Sequence, residues 1–293
     1  MKFALVGIGE VLWDILPSGK QLGGAPANFA FHARALGAEA VVASSVGADE
    51  SGRGILERLD TLGLNHDYVV TDPVHPTGTV RVKIDPSGNP AYIIPENVAW
   101  DYLSLTRQWI RLVGGADAIC FGSLAQRSEV SRTTIRTLLE KTSHKALRIF
   151  DVNLRAPFFT GGVIENSLQV ANVLKLSREE LPVVAGLRSI SGDETIVLSK
   201  IMQRYNLRLI ALTRGGQGSV LYSGGRKSDH PGHHVEVIDS VGAGDAFTAA
   251  MALGILKGYD LDRVNDSANQ VASFVCSQPG ATPFLPEELT AVF

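Results

Sequence analysis

The sequence lacks the features that mark membrane proteins, disulfide-bonded secreted domains and nucleic-acid-binding proteins. It has two cysteines in 293 residues, Cys120 and Cys276, and both stand in apolar surroundings. Two thiols form neither a disulfide framework nor a zinc site by themselves, so we interpret them as buried free cysteines. No apolar run reaches the ~20 residues that span a bilayer, and no basic block accompanies the net charge of −3. We therefore expect neither a membrane nor a nucleic acid as a partner.

Two common nucleotide-binding patterns and a targeting signal are also missing. The phosphate-binding loop Gly-x4-Gly-Lys-Ser/Thr is absent, because Gln21 follows Gly19-Lys20. The dinucleotide fingerprint is incomplete, because Leu12 stands where a third glycine would follow Gly7 and Gly9. A dehydrogenase therefore stays a distant alternative, which an absence of NAD binding would remove. The opening segment is too short for a signal peptide and runs directly into strand-like sequence, so we expect a cytoplasmic protein.

The sequence does contain the alternating strand and helix patterns that are typical of an α/β protein. Its composition, 45% hydrophobic and 19% charged, is typical of a globular domain, and we predict a single domain over residues 1–293. Short apolar runs alternate with helical patterns, and strands are predicted at 3–8, 41–46, 118–121, 148–150, 173–176 and 209–213. Polar–apolar alternation from Thr79 to Ile94 predicts a hairpin around a turn at Pro86–Asn89. We expect this hairpin to belong to a small β-sheet lid formed by about residues 10–22 and 74–99.

The stretch Asp239–Phe247, Asp-Ser-Val-Gly-Ala-Gly-Asp-Ala-Phe, opens a predicted helix from Ala246 to Leu256. The first N–H groups of a helix are unpaired and carry positive potential. Gly242, Ala243 and Gly244 would let a phosphate approach these groups closely. Asp245 could then accept the proton of an attacking hydroxyl, although for an isolated Gly-x-Gly-Asp a helix-capping role would be the better explanation.

Polar residues also follow the first strand and a later one. Asp14 and the segment Gly23-Gly24-Ala-Pro-Ala-Asn28 are open to a sugar-binding interpretation, and equally to a turn with a helix start. Asp151-Val-Asn153-Leu-Arg155 ends a predicted strand. Ligands of open α/β sheets bind outside the carboxyl ends of strands, which favours a functional role for this segment.

Two further segments allow both a structural and a functional interpretation. Ser177 and Glu180 match the capping-box pattern, and Glu180 could instead contact magnesium-bound water near phosphate. Thr213 is followed by glycines that include Gly215 and Gly218. These glycines could shape a hairpin, or they could admit a nucleotide at the end of a strand.

Taken together, these segments resemble the ribokinase-like, or PfkB, family of carbohydrate kinases over nearly the whole chain. Gly23–Asn28 looks like the amino-terminal signature of the family, and Asp239–Phe247 looks like its carboxyl-terminal signature. The resemblance implies a doubly wound, mostly parallel sheet with helices on both faces and a small β lid. It also implies transfer of the γ-phosphoryl group of ATP, with Mg²⁺ as cofactor.

The resemblance implies a role for each matching residue. Asp245 would be the base, with Gly242, Ala243 and Gly244 as the anion hole. The sugar contacts would be Asp14, Gly23, Gly24, Asn28, Asn153 and Arg155. The nucleotide contacts would be Ser177, Thr213, Gly215, Gly218 and Asn269. Glu180 would act on Mg²⁺ through water, although Ser177 departs from the asparagine usual in that motif. Asp239 and the carbonyl of Val241 are placed for the K⁺ ion that many members use.

Within the family, Gly9–Asp14, Gly23–Asn28, Asp151–Arg155 and Lys175-Leu-Ser177 look like fructokinases. We therefore expect phosphorylation of a primary hydroxyl of a monosaccharide, D-fructose before others. Ribose, 2-keto-3-deoxygluconate and a nucleoside remain alternative substrates, and a non-catalytic ligand-binding regulator is an alternative of another class. An exposed apolar face on the lid sheet would favour a homodimer through the lid.

Overall fold

The fold was analysed in a computed structural model, which describes residues 2–16, 19–84 and 90–293. The strands are β1 Ala4–Ile8, β2 Leu12–Leu16, β3 Gly19–Gly23, β4 Glu39–Gly47, β5 Val69–Asp72, β6 Thr79–Ile84, β7 Pro90–Ile93, β8 Ala118–Phe121, β9 Leu147–Asp151, β10 Val173–Ser177, β11 Leu209–Thr213, β12 Ser219–Ser223 and β13 Arg226–His230. The helices are α1 Ala25–Ala35, α2 Glu50–Thr61, α3 Arg107–Gly114, α4 Glu129–Lys141, α5 Gly161–Val170, α6 Leu181–Gly186, α7 Glu194–Tyr205, α8 Ala243–Leu256, α9 Leu261–Cys276 and α10 Glu287–Thr290.

Nine strands form one large sheet in the order β13-β12-β11-β10-β9-β8-β1-β4-β5. The strands from β11 to β5 run parallel, and β12 and β13 are antiparallel additions at one edge. The chain leaves β1 toward β4 and later returns to its other side with β8, so the order reverses between β1 and β8. A crevice forms outside the carboxyl ends of the strands at such a reversal, and this is where open α/β sheets bind ligands.

Two apolar cores cover the two faces of this sheet, as the doubly wound prediction requires. Leu5 of β1 packs into the core that contains α1, α2, α8 and α9. The next residue, Val6, packs into the opposite core with α3, α4, α5 and α7. Adjacent residues of a strand point to opposite faces, so a strand with helices on both sides must be apolar throughout. This explains the continuous apolar runs in the sequence.

The remaining four strands form a separate small sheet in the order β3-β2-β6-β7. β2 pairs antiparallel with β3 and parallel with β6, and β6 pairs antiparallel with β7. The prediction that the segment after β1 joins the 79–94 hairpin in one small sheet is confirmed. The turn predicted at Pro86–Asn89 lies outside the described residues.

Helix α8 is apolar on all sides because it is enclosed on all sides. Every residue from Ala246 to Gly254 is buried, and the helix packs between α1 and α9. Its small residues let the neighbouring helices approach closely, so its amino terminus is held in a fixed position. Among the described helices, none combines the length and the apolar composition that a membrane crossing requires.

Candidate functional site

The site is a cleft of about 670 Å³ between the carboxyl edge of the large sheet and the small sheet. It lies at the strand-order reversal, where the first helix after β1 and the first turn of α8 meet. The predicted site residues that line it are Asp14, Gly24, Asn28, Asn153, Arg155, Asp239, Gly242, Gly244 and Asp245. Asp14 and Asp245 therefore line the same cleft, although they are 231 residues apart in sequence.

The turn that precedes α8 is built around Gly242. This residue has φ +80°, and a Cβ on it would come within 2.5 Å of the Ala281 carbonyl oxygen. Only glycine meets both constraints without strain. At the start of α8 the Ala243 N–H donates to the Ser240 carbonyl oxygen at 3.4 Å, whereas the Gly244 N–H has no backbone acceptor among the described residues. At Gly244, two residues later, a Cβ would lie 2.9 Å from the Lys175 ammonium nitrogen, so a side chain there would displace the end of Lys175.

Asp245 lies in the first turn of α8, half-buried on the floor of the cleft. Asn28, from α1, donates a hydrogen bond from Nδ2 to Asp245 Oδ2 at 2.8 Å. Desolvation, followed by the nearby charge of Asp151, raises the pKa of Asp245 to about 7, against the lowering effects of Asn28, Lys175 and Arg155. A carboxyl with a pKa near neutrality is a better proton acceptor than an ordinary aspartate. The helix-cap interpretation does not account for its place facing the cleft.

The predicted sugar contacts surround the opening above Asp245. Asp14 lies on β2 of the small sheet. Desolvation by burial raises its pKa to about 6, although the nearby charge of Arg155 lowers it. Gly23 on β3 pairs with Leu12, and a Cβ on this glycine would overlap the Asp14 carboxylate. Gly23 therefore makes room for Asp14 and is not itself among the residues that line the cleft. Asn153 adopts the left-handed conformation with φ +40°, which turns the chain at the end of β9.

Three charged residues of this region were not singled out as site residues from the sequence. Lys175 and Glu10 line the cleft, and Asp151 lies under it, paired with Lys175 at 3.0 Å. Burial raises the pKa of Glu10 to about 7, and its Oε2 has no hydrogen-bond partner among the described residues. For Asp151 and Lys175 the available signal was a charged residue inside an apolar strand. Glu10 lies between β1 and β2 and gave no such signal.

The predicted nucleotide contacts lie next to this cleft along the same sheet edge. Thr213 pairs with Ser177 across β11 and β10, and Gly215 and Gly218 form the turn that follows. A side chain on Gly218 would overlap the backbone at His230, so this glycine keeps the turn closed against β13. The Asn269 amide is buried and donates to Ser219 Oγ at 2.8 Å. These residues, like Ala243, are not among those that line the cleft of Asp245.

Two carboxylates were predicted to act on metal ions, and both are held by backbone N–H groups. Glu180 accepts hydrogen bonds from Ser177 N–H at 2.8 Å and Leu154 N–H at 2.7 Å, and Ser177 Oγ accepts from Glu180 N–H at 3.3 Å. This reciprocal pair is the capping-box geometry, here closing a turn ahead of α6. Each carboxylate oxygen keeps a second lone pair, so Glu180 fits contact with a metal-bound water. Asp239 accepts from Val241 N–H at 3.0 Å and Gly280 N–H at 3.1 Å.

A further group of side chains that could bind a metal ion is not among the residues that line the cleft. His230, His233 and Asp266 bring two imidazoles onto one carboxylate, at 3.1 and 2.9 Å. The Gly232 N–H donates to Nδ1 of His230 at 3.0 Å, so Nε2 of that ring carries a proton. That proton is donated to Asp266, and this arrangement is a hydrogen-bonded surface cluster.

Comparison with known proteins identifies the family of the chain. The family model described as pfkB family carbohydrate kinase matches residues 18–288. The uncharacterized sugar kinase PH1459 of Pyrococcus horikoshii is 30% identical, with 94% of this chain and 91% of that protein covered. A fructokinase of Escherichia coli is 28% identical, covering 95% of each chain.

Solved structures share the fold over the full length. The structure of PH1459 in complex with ATP has a TM-score of 0.82 at 28% identity, covering 99% of this chain and 100% of that one. The structure of a Xylella fastidiosa fructokinase with bound ATP has a TM-score of 0.85 at 21% identity, covering 100% and 98%. The fold is therefore the ribokinase-like α/β fold with a small separate sheet, as predicted.

These findings define first a class, the carbohydrate kinases, which transfer a phosphoryl group to a sugar hydroxyl. The chain belongs to the pfkB family of carbohydrate kinases.

Proposed function

We propose that this chain is an ATP-dependent fructokinase, which transfers the γ-phosphoryl group of Mg-ATP to a primary hydroxyl of D-fructose. The observation that carries the proposal is Asp245, a carboxylate with its pKa raised to about 7 at the amino end of a rigid helix, facing a cleft of sugar size. Fructokinases from several organisms among its relatives support the choice of sugar. The PH1459 complex supports ATP as the donor.

In this proposal Asp245 accepts the proton of the sugar hydroxyl while the bond from oxygen to phosphorus forms. The N–H groups of Gly242 and Gly244 would stabilise the charge on the transferring group, together with that of Ala243, which donates to the Ser240 carbonyl oxygen at 3.4 Å in this structure. Mg²⁺, reached by Glu180 through water, would neutralise charge on the β- and γ-phosphates when bound. Thr213, Gly215, Gly218 and Asn269 would lie along the nucleotide, with Ser177 as a shorter replacement for the usual asparagine.

The sugar would be held from both sides of the cleft. Asp14 comes from the small sheet, whereas Asn28 comes from α1 and Arg155 from the segment that follows β9 of the large sheet. Gly24 and Asn153 shape the backbone around the sugar. A ligand held by both sheets would draw them together, so we propose that residues 10–22 and 74–99 act as a lid on a single domain of residues 1–293. Closure of this lid would exclude water that would otherwise hydrolyse ATP.

Three finer assignments belong to the same proposal. Asp239 and the Val241 carbonyl would contact K⁺ beside the anion hole. The outer face of the lid sheet would contact a second copy of the chain. The protein would act in the cytoplasm, and its two free cysteines are consistent with a reducing compartment.

Arg155 favours one other substrate class. Its guanidinium faces the cleft and could pair with a carboxylate, which fructose lacks and 2-keto-3-deoxygluconate carries. Discrimination between these sugars depends on few contacts, so the two substrates must be compared directly.

The test is ADP release from Mg-ATP with fructose, ribose, glucose, 2-keto-3-deoxygluconate, fructose 6-phosphate and adenosine. The Asp245→Asn variant is assayed beside the wild type. We expect a fructose-dependent rate that falls by at least about 100-fold in the variant, because a positioned base contributes ~10²–10⁴-fold. ATP binding should be retained.

Other outcomes revise the proposal in distinct ways. A higher kcat/KM with 2-keto-3-deoxygluconate would replace the substrate and keep the mechanism. Near-normal turnover of Asp245→Asn would refute the assigned base. ATP binding without turnover on any sugar would favour the non-catalytic regulator.

A further inference from the structure

The side chain of Lys175 places a buried cation directly beneath the anion hole. β10 alternates between the two faces of the sheet, and Lys175 projects to the same face as Val173, which packs toward α8. Its Nζ lies so close to Gly244 that a Cβ on that glycine would be 2.9 Å away. The side chain is 10% exposed, and the exposed part belongs to the cleft lining.

The ammonium is charged because acids surround it. Burial by itself would lower the pKa of Lys175, but the carboxylates of Asp151, Glu180 and Asp245 outweigh this effect and raise it. Asp151 accepts one hydrogen bond at 3.0 Å, and its other oxygen accepts from Thr248 of α8 at 3.2 Å. An ammonium has three N–H donors. Within the described part of the chain only Asp151 accepts one of them.

The geometry points to Lys175 as a further catalytic residue, which donates a hydrogen bond to the transferring phosphoryl group from below the anion hole. This inference rests on the proposed function. In the step, the sugar oxygen bonds to the γ-phosphorus and its proton passes to Asp245. The bond from the γ-phosphorus to the bridging oxygen breaks, and ADP leaves with that electron pair. Lys175 keeps its proton throughout and stabilises the charge on the equatorial oxygens.

A structural role for the Lys175–Asp151 pair is the competing explanation, and paired variants separate the two. Lys175→Met alone leaves a buried unpaired carboxylate, which destabilises a protein strongly. The double variant Lys175→Met/Asp151→Asn removes both charges at similar volume and is expected to restore thermal stability. Asp151→Asn alone keeps the ammonium as a matched control.

The experiment measures kcat, sugar KM and melting temperature for the wild type and the three variants, using the sugar that the wild type phosphorylates best. We expect kcat to fall by about 100-fold in Lys175→Met and to remain at least about 30-fold low in the double variant. Sugar KM should change by only a few-fold. Recovery of kcat in the stable double variant to within about threefold of wild type would overturn the proposal, and so would a KM defect with normal kcat.

Nucleotide binding distinguishes failure of this inference from failure of the proposed function. Calorimetry with ATP and ADP requires no sugar. We expect the double variant to bind ATP about tenfold more weakly than the wild type and ADP with unchanged affinity, because only ATP places a γ-phosphate above Lys175. Equal affinity for ATP in the two proteins would contradict the contact even if no tested sugar were a substrate.

Discussion

Replacing Asn28 with leucine should move the pH dependence of the reaction toward alkaline pH. Asn28 is 4% exposed and donates from Nδ2 to the Asp245 carboxylate at 2.8 Å. This bond favours the ionised form of Asp245, so its loss raises the pKa further. A hydrogen bond to a charged group contributes about 1.5–3 kcal/mol, and one pKa unit corresponds to ~1.4 kcal/mol. The pKa should therefore rise by about one to two units, from about 7.

The consequence for rate follows from the sign of this shift. The base acts only when ionised, and about half of Asp245 is ionised at pH 7 in the wild type. A rise of one to two units leaves roughly 1–10% ionised at the same pH. The acid limb of kcat/KM should move upward by that amount, while at high pH kcat/KM falls only by the loss of the sugar contact proposed for Asn28. The assay is the pH–rate profile with the preferred sugar from pH ~5.5 to ~9.5.

Asn172→Leu is a matched control for stability. Asn172 is also buried and hydrogen-bonded, to the Ala146 carbonyl oxygen at 2.9 Å and the Arg148 N–H at 2.8 Å, but it precedes β10 at the opposite edge of the sheet. This variant should be less stable, with an unshifted acid limb. A uniform loss of rate across the pH range in Asn28→Leu, with the limb in place, would refute the assignment of the limb to Asp245.

Three further predictions concern stability and the anion hole. Asp245→Asn should raise the melting temperature at pH 8, because a carboxyl with a raised pKa destabilises the fold once the pH exceeds its unfolded value; an unchanged or lower melting temperature would contradict the desolvation of Asp245. Gly242→Ala should lower kcat at least tenfold and reduce stability, since its Cβ would lie 2.5 Å from the Ala281 oxygen at φ +80°; wild-type kinetics would show that the turn is not constrained. Asp49→Ala should cost about 1–2 kcal/mol in denaturant unfolding through the lost α2 cap.

The Asp49 prediction has a pH dependence with a definite sign. Burial by itself would raise the pKa of Asp49, but hydrogen bonds from Thr77 and Gly52 lower it below the ordinary value. A carboxyl whose pKa is lower in the folded protein stabilises the fold at pH values above its pKa in the unfolded chain. This contribution is lost as the pH falls through its pKa in the folded protein. The difference between wild type and variant should therefore shrink below pH ~4. A constant difference down to pH ~2 would contradict this account.

Elements with a strong periodic pattern were predictable, and elements defined by their partners were not. Helix α9, Leu261–Cys276, can be recognised in the sequence, because its apolar spacing and its Asp260 cap are local signals. β13, Arg-Lys-Ser-Asp-His, has no apolar alternation and exists through pairing with β12. A strand of this kind cannot be recognised before its neighbour is in place.

The site divides in the same way. The glycines and Asp245 were recognisable because a close backbone approach beside a carboxylate needs those residue types in that order. Lys175 and Asp151 were not assigned roles, because the role of a charged residue in a strand depends on which groups its side chain contacts in the folded protein. Residues 151 and 175 stand opposite each other across two parallel strands, beneath the first turn of α8.

The sequence alone therefore determined the layered α/β architecture, the small sheet and the residue types at the helix start, because these depend on periodicity and on backbone constraints within a few residues. Only the tertiary structure decided that Asn28 meets Asp245 and that a buried lysine lies under Gly244. It also decided that desolvation brings the pKa of Asp245 to about 7. These properties depend on distances between segments far apart in the chain and on the exclusion of water, and both arise only when the sheet and its helices pack together.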